Sequence, residues 1–76
     1  MNNARRKQIE GIRAEMESAS TRLEDIMAEE QDYLDNMPES LQGGEKGATA
    51  EEAIDNLQSA IDSLDETTAA LMEAQS

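Results

Sequence analysis

The motif Ile-Asp-x-Leu occurs twice, seven residues apart, as Ile54-Asp55-Asn56-Leu57 and Ile61-Asp62-Ser63-Leu64. A seven-residue repeat of this kind marks an apolar seam along one side of a helix. Ile54 and Ile61 form the first core row, heptad position a, and Leu57, Leu64 and Leu71 form the second, position d. One helix cannot cover its own seam, so the chain must find a second helix in itself or in another molecule.

The 76 residues are enough for one small domain with a modest core, and such domains usually need support from outside that core. Cysteine and histidine are both absent, which removes disulfides and the usual structural zinc sites. Tyr33 is the only aromatic residue, so the core has to be built from Ile, Leu, Met and Ala. Oligomerisation is the remaining support.

The upstream half of the chain supplies a helix. Taking Ile9 as position a, the a row runs Ile9, Met16, Leu23, Glu30, Met37, and the d row runs Ile12, Ala19, Ile26, Tyr33. Met27 and Leu34 stand at e and widen the stripe, as they would on a helix with more than one neighbour. Pro38 lacks an N–H and disfavours helix at the residue before it, so the first helix is predicted over residues 4–36. Residues 37–48 hold three of the four glycines and the only proline and read as loop, with Gly43-Gly44 its most mobile part and Leu41 folding back onto Met37 and Leu34. Thr49-Ala50-Glu51-Glu52 has the form of a capping box, which places the second helix over residues 49–73, with Ala53 and Ala60 as small residues beside its seam.

The prediction is an all-α, single-domain, antiparallel helical hairpin of coiled-coil type over residues 1–76. Antiparallel return sets Arg5, Arg6 and Lys7 beside the acidic stretch Asp62, Asp65, Glu66 and Glu73, where ion pairs are expected to select orientation more than to add stability. A lone hairpin leaves part of its apolar seam uncovered. Two hairpins face to face in a homodimeric four-helix bundle are the expected remedy, and a hairpin bound to a different protein is the alternative. The residues assigned to the oligomer or partner seam are Ile9, Ile12, Met16, Leu23, Ile26, Met27, Tyr33, Leu34, Ile54, Leu57, Ile61, Leu64 and Leu71.

Catalysis is not expected. Without His or Cys the common nucleophile and base pairs are missing, and Gly43-Gly44-Glu45-Lys46-Gly47 has neither the preceding strand nor the following Ser or Thr of a phosphate-binding loop. No cofactor or metal is predicted: a di-iron bundle wants Glu-x-x-His, and no Asp-x-Asp-x-Asp-Gly calcium loop occurs. No run approaches the roughly 18 to 20 apolar residues of a membrane span, and the basic first residues lead into no apolar segment, so a cytoplasmic protein is expected.

Charge is the other strong feature. The formal net charge is -12, yet residues 1–22 carry five basic against three acidic side chains, whereas the rest sets Lys46 against fifteen acids. Such a field repels nucleic-acid phosphate and anionic lipid and attracts a basic protein surface. The candidate partner-binding face comprises Glu24, Asp25, Glu29, Asp32, Glu51, Glu52, Asp55, Asp62, Asp65 and Glu66. Rows of carboxylates on a rod can imitate a phosphate backbone; they also serve simply as a solvated face. Glu30 interrupts the a row between Leu23 and Met37. Either the seam splays there and the carboxylate reaches solvent or the Tyr33 hydroxyl, or it fixes register or receives a partner's basic residue.

The stretch Tyr33-Leu34-Asp35-Asn36-Met37-Pro38-Glu39-Ser40-Leu41-Gln42, followed by the repeats from Glu52 to Leu64, resembles an uncharacterised family of short acidic helical-hairpin proteins from phages and bacteria. The likeness spans about half the chain and is most distinctive in Asn-Met-Pro-Glu-Ser-Leu-Gln. It implies a phage or mobile-element origin and a non-enzymatic hairpin, and it brings no active site. Small acidic helical phage proteins include inhibitors of host defence, so a binding module that modulates a host protein is the leading expectation. A scaffold or assembly component acting through self-association is the alternative.

Overall fold

The first helix starts where the sequence provides a cap. The Asn2 side chain accepts a 2.8 Å hydrogen bond from the Arg5 N–H, occupying one of the donors that the first turn leaves open. The computed structural model describes residues 1–76 as three helices, α1 (Asn3–Asp35), α2 (Glu39–Gln42) and α3 (Glu45–Gln75), with no strand. The two long helices lie side by side as an antiparallel hairpin, a rod of 58 × 14 × 12 Å.

On α3 the partly or fully buried positions, apart from Ala53, lie on the two rows of the Ile-Asp-x-Leu repeat. Ile54, Ile61, Thr68 and Gln75 form one row, and Ala50, Leu57, Leu64 and Leu71 form the other. On α1 the a row faces α3 as expected, with Ile9, Met16, Leu23 and Glu30 at least half-buried and Met37, just past the helix end, buried. Its companion is the e row of Arg6, Arg13, Ser20, Met27 and Leu34, not the d row. Ile12, Ile26 and Tyr33 are 43%, 49% and 53% exposed, so within a single chain they lie outside the seam. The reason lies in what the e row offers α3. Arg6 and Arg13 bond its last turn, and the small Ser20 sits in the middle of the rod. The register that joins Arg6 to Gln75 brings Ser20, buried, opposite Ile61, which is only 3% exposed. A methyl-poor residue facing a branched one allows close approach.

The open end is held by hydrogen bonds. Arg6 Nε donates to the Gln75 carbonyl at 3.1 Å, Gln75 Nε2 donates back to the Arg6 carbonyl at 3.2 Å, and Arg13 Nη1 donates to Gln75 Oε1 at 2.6 Å. A guanidinium at the carbonyl end of α3 also meets the negative pole of that helix. The expected pairing of Arg5, Arg6 and Lys7 with Asp62, Asp65, Glu66 and Glu73 is not formed. Arg5 and Lys7 are exposed, and the one salt bridge, Arg13 to Glu17 at 3.9 Å, is internal to α1.

The turn is shorter and more ordered than the expected 37–48 loop. After Pro38 the chain makes the single turn α2, and Gln42 reaches back so that its Nε2 donates to the carbonyls of Leu34 and Met37 at 3.0 and 3.1 Å. The Leu34 carbonyl also accepts from the Met37 N–H at 3.1 Å, whereas the Met37 carbonyl, past the end of α1, relies on Gln42. Met37 is buried, whereas Leu41 stays 45% exposed in a groove with Met37, Pro38 and Lys46. Helix α3 begins at Glu45, so Thr49 is not its cap; the Thr49 hydroxyl donates to the Glu45 carbonyl at 2.9 Å within the helix. Gly47 makes the earlier start feasible. It is buried, and a Cβ there would fall on the Gln42 carbonyl oxygen and 2.8 Å from the Gln42 Cα. Replacing Gln42 with Ala is expected to lower stability by about 1–2 kcal/mol, because the Met37 carbonyl loses its donor and the Leu34 carbonyl one of its two. Thermal melting followed by circular dichroism would measure the loss, and an unchanged melting temperature would contradict this role.

Candidate functional site

A right-handed helix turns by about 100° per residue, so each heptad row occupies a fixed direction around the axis. With the a and e rows of α1 against α3, its d row points to one side of the hairpin, and its b row, Glu10, Glu17, Glu24 and Gln31, points to the other. The seam of α3 uses a and d, which leaves its g row, Lys46, Ala53, Ala60, Thr67 and Ala74, on one side, and its e row, Glu51, Gln58, Asp65 and Met72, on the other. Because the helices run antiparallel, the d row of α1 and the g row of α3 turn to the same side. Tyr33 and Lys46 line common grooves at the loop end, in agreement with that placement.

The rod therefore has two unlike faces. One carries Ile12, Ala19, Ile26 and Tyr33 beside the small residues of α3. All eight acidic residues of α3 occupy b, e and f positions, so its g row and the adjoining Thr49, Asn56, Ser63 and Ala70 contain no carboxylate. The opposite face joins Glu10, Glu17 and Glu24 of α1 to Glu51 and Asp65 of α3 across the seam. Glu24, Glu51 and Asp65 of the predicted acidic set are brought together there. Glu52, Asp55, Asp62 and Glu66 line the outer back of α3, Asp25 and Asp32 lie on the outer back of α1, and Glu29 edges its apolar face. The acidic set is thus spread over four surfaces. Glu10 and Glu17 belong to the acidic face but were not in that set; their heptad row is the signal that identifies them.

Glu30 is half-buried at the loop end, lining a groove with Tyr33, Glu45, Lys46 and Thr49. It makes no hydrogen bond to the Tyr33 hydroxyl. Midway along α1, Ala19, Arg22, Leu23 and Ile26 line a shallow groove of about 220 Å³. Nowhere do carboxylates gather into a group able to hold a metal ion. No helix is long and apolar enough to cross a membrane. No protein-family model, curated protein or solved structure matches this chain.

Proposed function

We propose that this chain is a non-catalytic protein-binding module: two hairpins pair into a four-helix bundle through the face that carries Ile12, Ile26 and Tyr33, and the outward acidic faces bind and modulate a protein with a basic surface. The observation that supports this reading is the segregation of charge on α3, whose carboxylates, apart from Glu45 in the groove beside Tyr33 at the loop end, avoid the side that carries Ile12, Ile26 and Tyr33. A face serving only solubility has no need of such sorting. Apolar residues left at helical spacing beside a row of alanines suit another helix, and rigid rows of carboxylates suit a groove that otherwise takes phosphate. The resemblance to short phage proteins makes a host protein in the bacterial cytoplasm, such as a defence or nucleic-acid-binding protein, the natural target.

The test is salt dependence with a charge control. Affinity for a basic partner recovered from host cells should fall steeply between about 0.05 and 0.5 M salt, as the Debye length shrinks below the spacing of the charge rows. The double variant Glu51→Lys, Asp65→Lys should weaken binding while leaving helicity intact, since both side chains are exposed. Affinity indifferent to salt and to both lysines would refute charge-directed binding. The uncovered apolar row also favours a second reading, an assembly component acting through self-association; recovery in many copies with structural proteins of a particle would select it.

A further inference from the structure

The face of Ile12, Ile26 and Tyr33 carries a pattern that complements itself when reversed. Its large and small residues follow the order Ile12, Ala19, Ile26, Tyr33, and a two-fold axis crossing α1 between residues 22 and 23 pairs Ile12 with Tyr33 and Ala19 with Ile26 of a second copy. Each pair sets a bulky side chain against a smaller one. At the axis lies the groove formed by Ala19, Arg22, Leu23 and Ile26, an opening into which the Ile26 of the second copy can insert.

Charge divides at the same point. Residues 1–22 hold five bases against three acids, and residues 23–35 hold six acids and no base. Antiparallel docking lays the basic half of one α1 over the acidic half of the other. Docking with both loops at one end instead stacks the two most acidic regions, α1 from Glu24 onward and the start of α3, upon their copies. Arg5, the residue one heptad before Ile12 in the same row, would then reach the loop of the second copy near its Glu39.

We infer that two copies dock antiparallel through this face, α1 against α1, with their loops at opposite ends of the bundle. The inference rests on the self-pairing proposed above and specifies its geometry. Because the chain has no cysteine, each single substitution introduces the only thiol. Ala19→Cys and Ile26→Cys variants, mixed and equilibrated under reduction and then mildly oxidised, should form a mixed disulfide-linked dimer. The rate should exceed that of either variant alone by on the order of 100-fold, reflecting the millimolar effective concentration of docked thiols. Both sites are partly or wholly exposed in the single chain, so the substitutions leave the seam untouched. Faster linkage of Ala19→Cys with Ala60→Cys would place α1 over α3 with the loops together and overturn the antiparallel geometry, although self-pairing would stand. A monomer at every concentration in sedimentation of the unmodified chain would remove self-pairing itself.

Discussion

Replacing Ile61 with Asp is expected to unfold the hairpin. Ile61 is 3% exposed and is the only large side chain so thoroughly enclosed. Truncating such a residue costs about 2–5 kcal/mol, and a carboxylate left unpaired in its place adds a penalty of about 3–5 kcal/mol. Opposite it stands Ser20, which brings no positive charge. Domains as small as this one are held by stabilities toward the low end of about 5–15 kcal/mol, so the combined loss equals or exceeds what is available. Far-ultraviolet circular dichroism should show helical signal lost at ambient temperature. Ser59→Asp, on the exposed back of α3, should leave the spectrum unchanged. Full helicity in the Ile61→Asp variant would mean that α1 and α3 do not meet along the rows assigned to them.

The second large effect belongs to the corner. Gly47→Ala would ordinarily favour a helix, since alanine restricts the unfolded chain and glycine does not. Here the added methyl meets the Gln42 backbone, which cannot swing aside as a side chain could. The first turn of α3 must move outward, and the Gln42 bonds to the Leu34 and Met37 carbonyls go with it. A loss of about 1–3 kcal/mol is expected from the overpacking, which in a domain of this size lowers the melting temperature by roughly 4 to 24 °C. Gly11→Ala is the internal comparison. Nothing lies within 4 Å of a Cβ at Gly11, so the same substitution there should raise stability by about 0.5–1 kcal/mol. Equal effects at the two glycines would show that the corner is not tightly packed.

The all-α hairpin and the whole seam of α3 are legible in the chain, because Ile54, Leu57, Ile61, Leu64 and Leu71 form just two adjacent rows and leave no choice of direction. Helix α1 does leave a choice. Its a row is flanked by apolar residues on both sides, Ile12, Ile26 and Tyr33 on one and Met27 and Leu34 on the other. Periodicity favours the first because Arg6, Arg13 and Ser20 dilute the second. Those same polar residues decide the matter, two by bonding Gln75 and one by its small size, and a reading based on apolarity assigns them no weight. The start of α3 was obscured in a similar way. Thr49 and Glu52 have the spacing of a cap, yet the helix begins four residues earlier because Gly47 tolerates a neighbouring backbone that no other residue would. The sorting of carboxylates into three rows of α3 was present in the sequence throughout. Its meaning depended on knowing which side of α1 remained open.

Tyr33 is the only aromatic ring in the molecule, and it stands on the uncovered stripe, not between the helices. The near-ultraviolet signal of this chain is therefore nearly silent about the packing that holds each hairpin together and responds chiefly to whatever comes to rest on that side. If the pairing proposed above takes place on this side, association is expected to change the emission of that one phenol in the unlabelled protein.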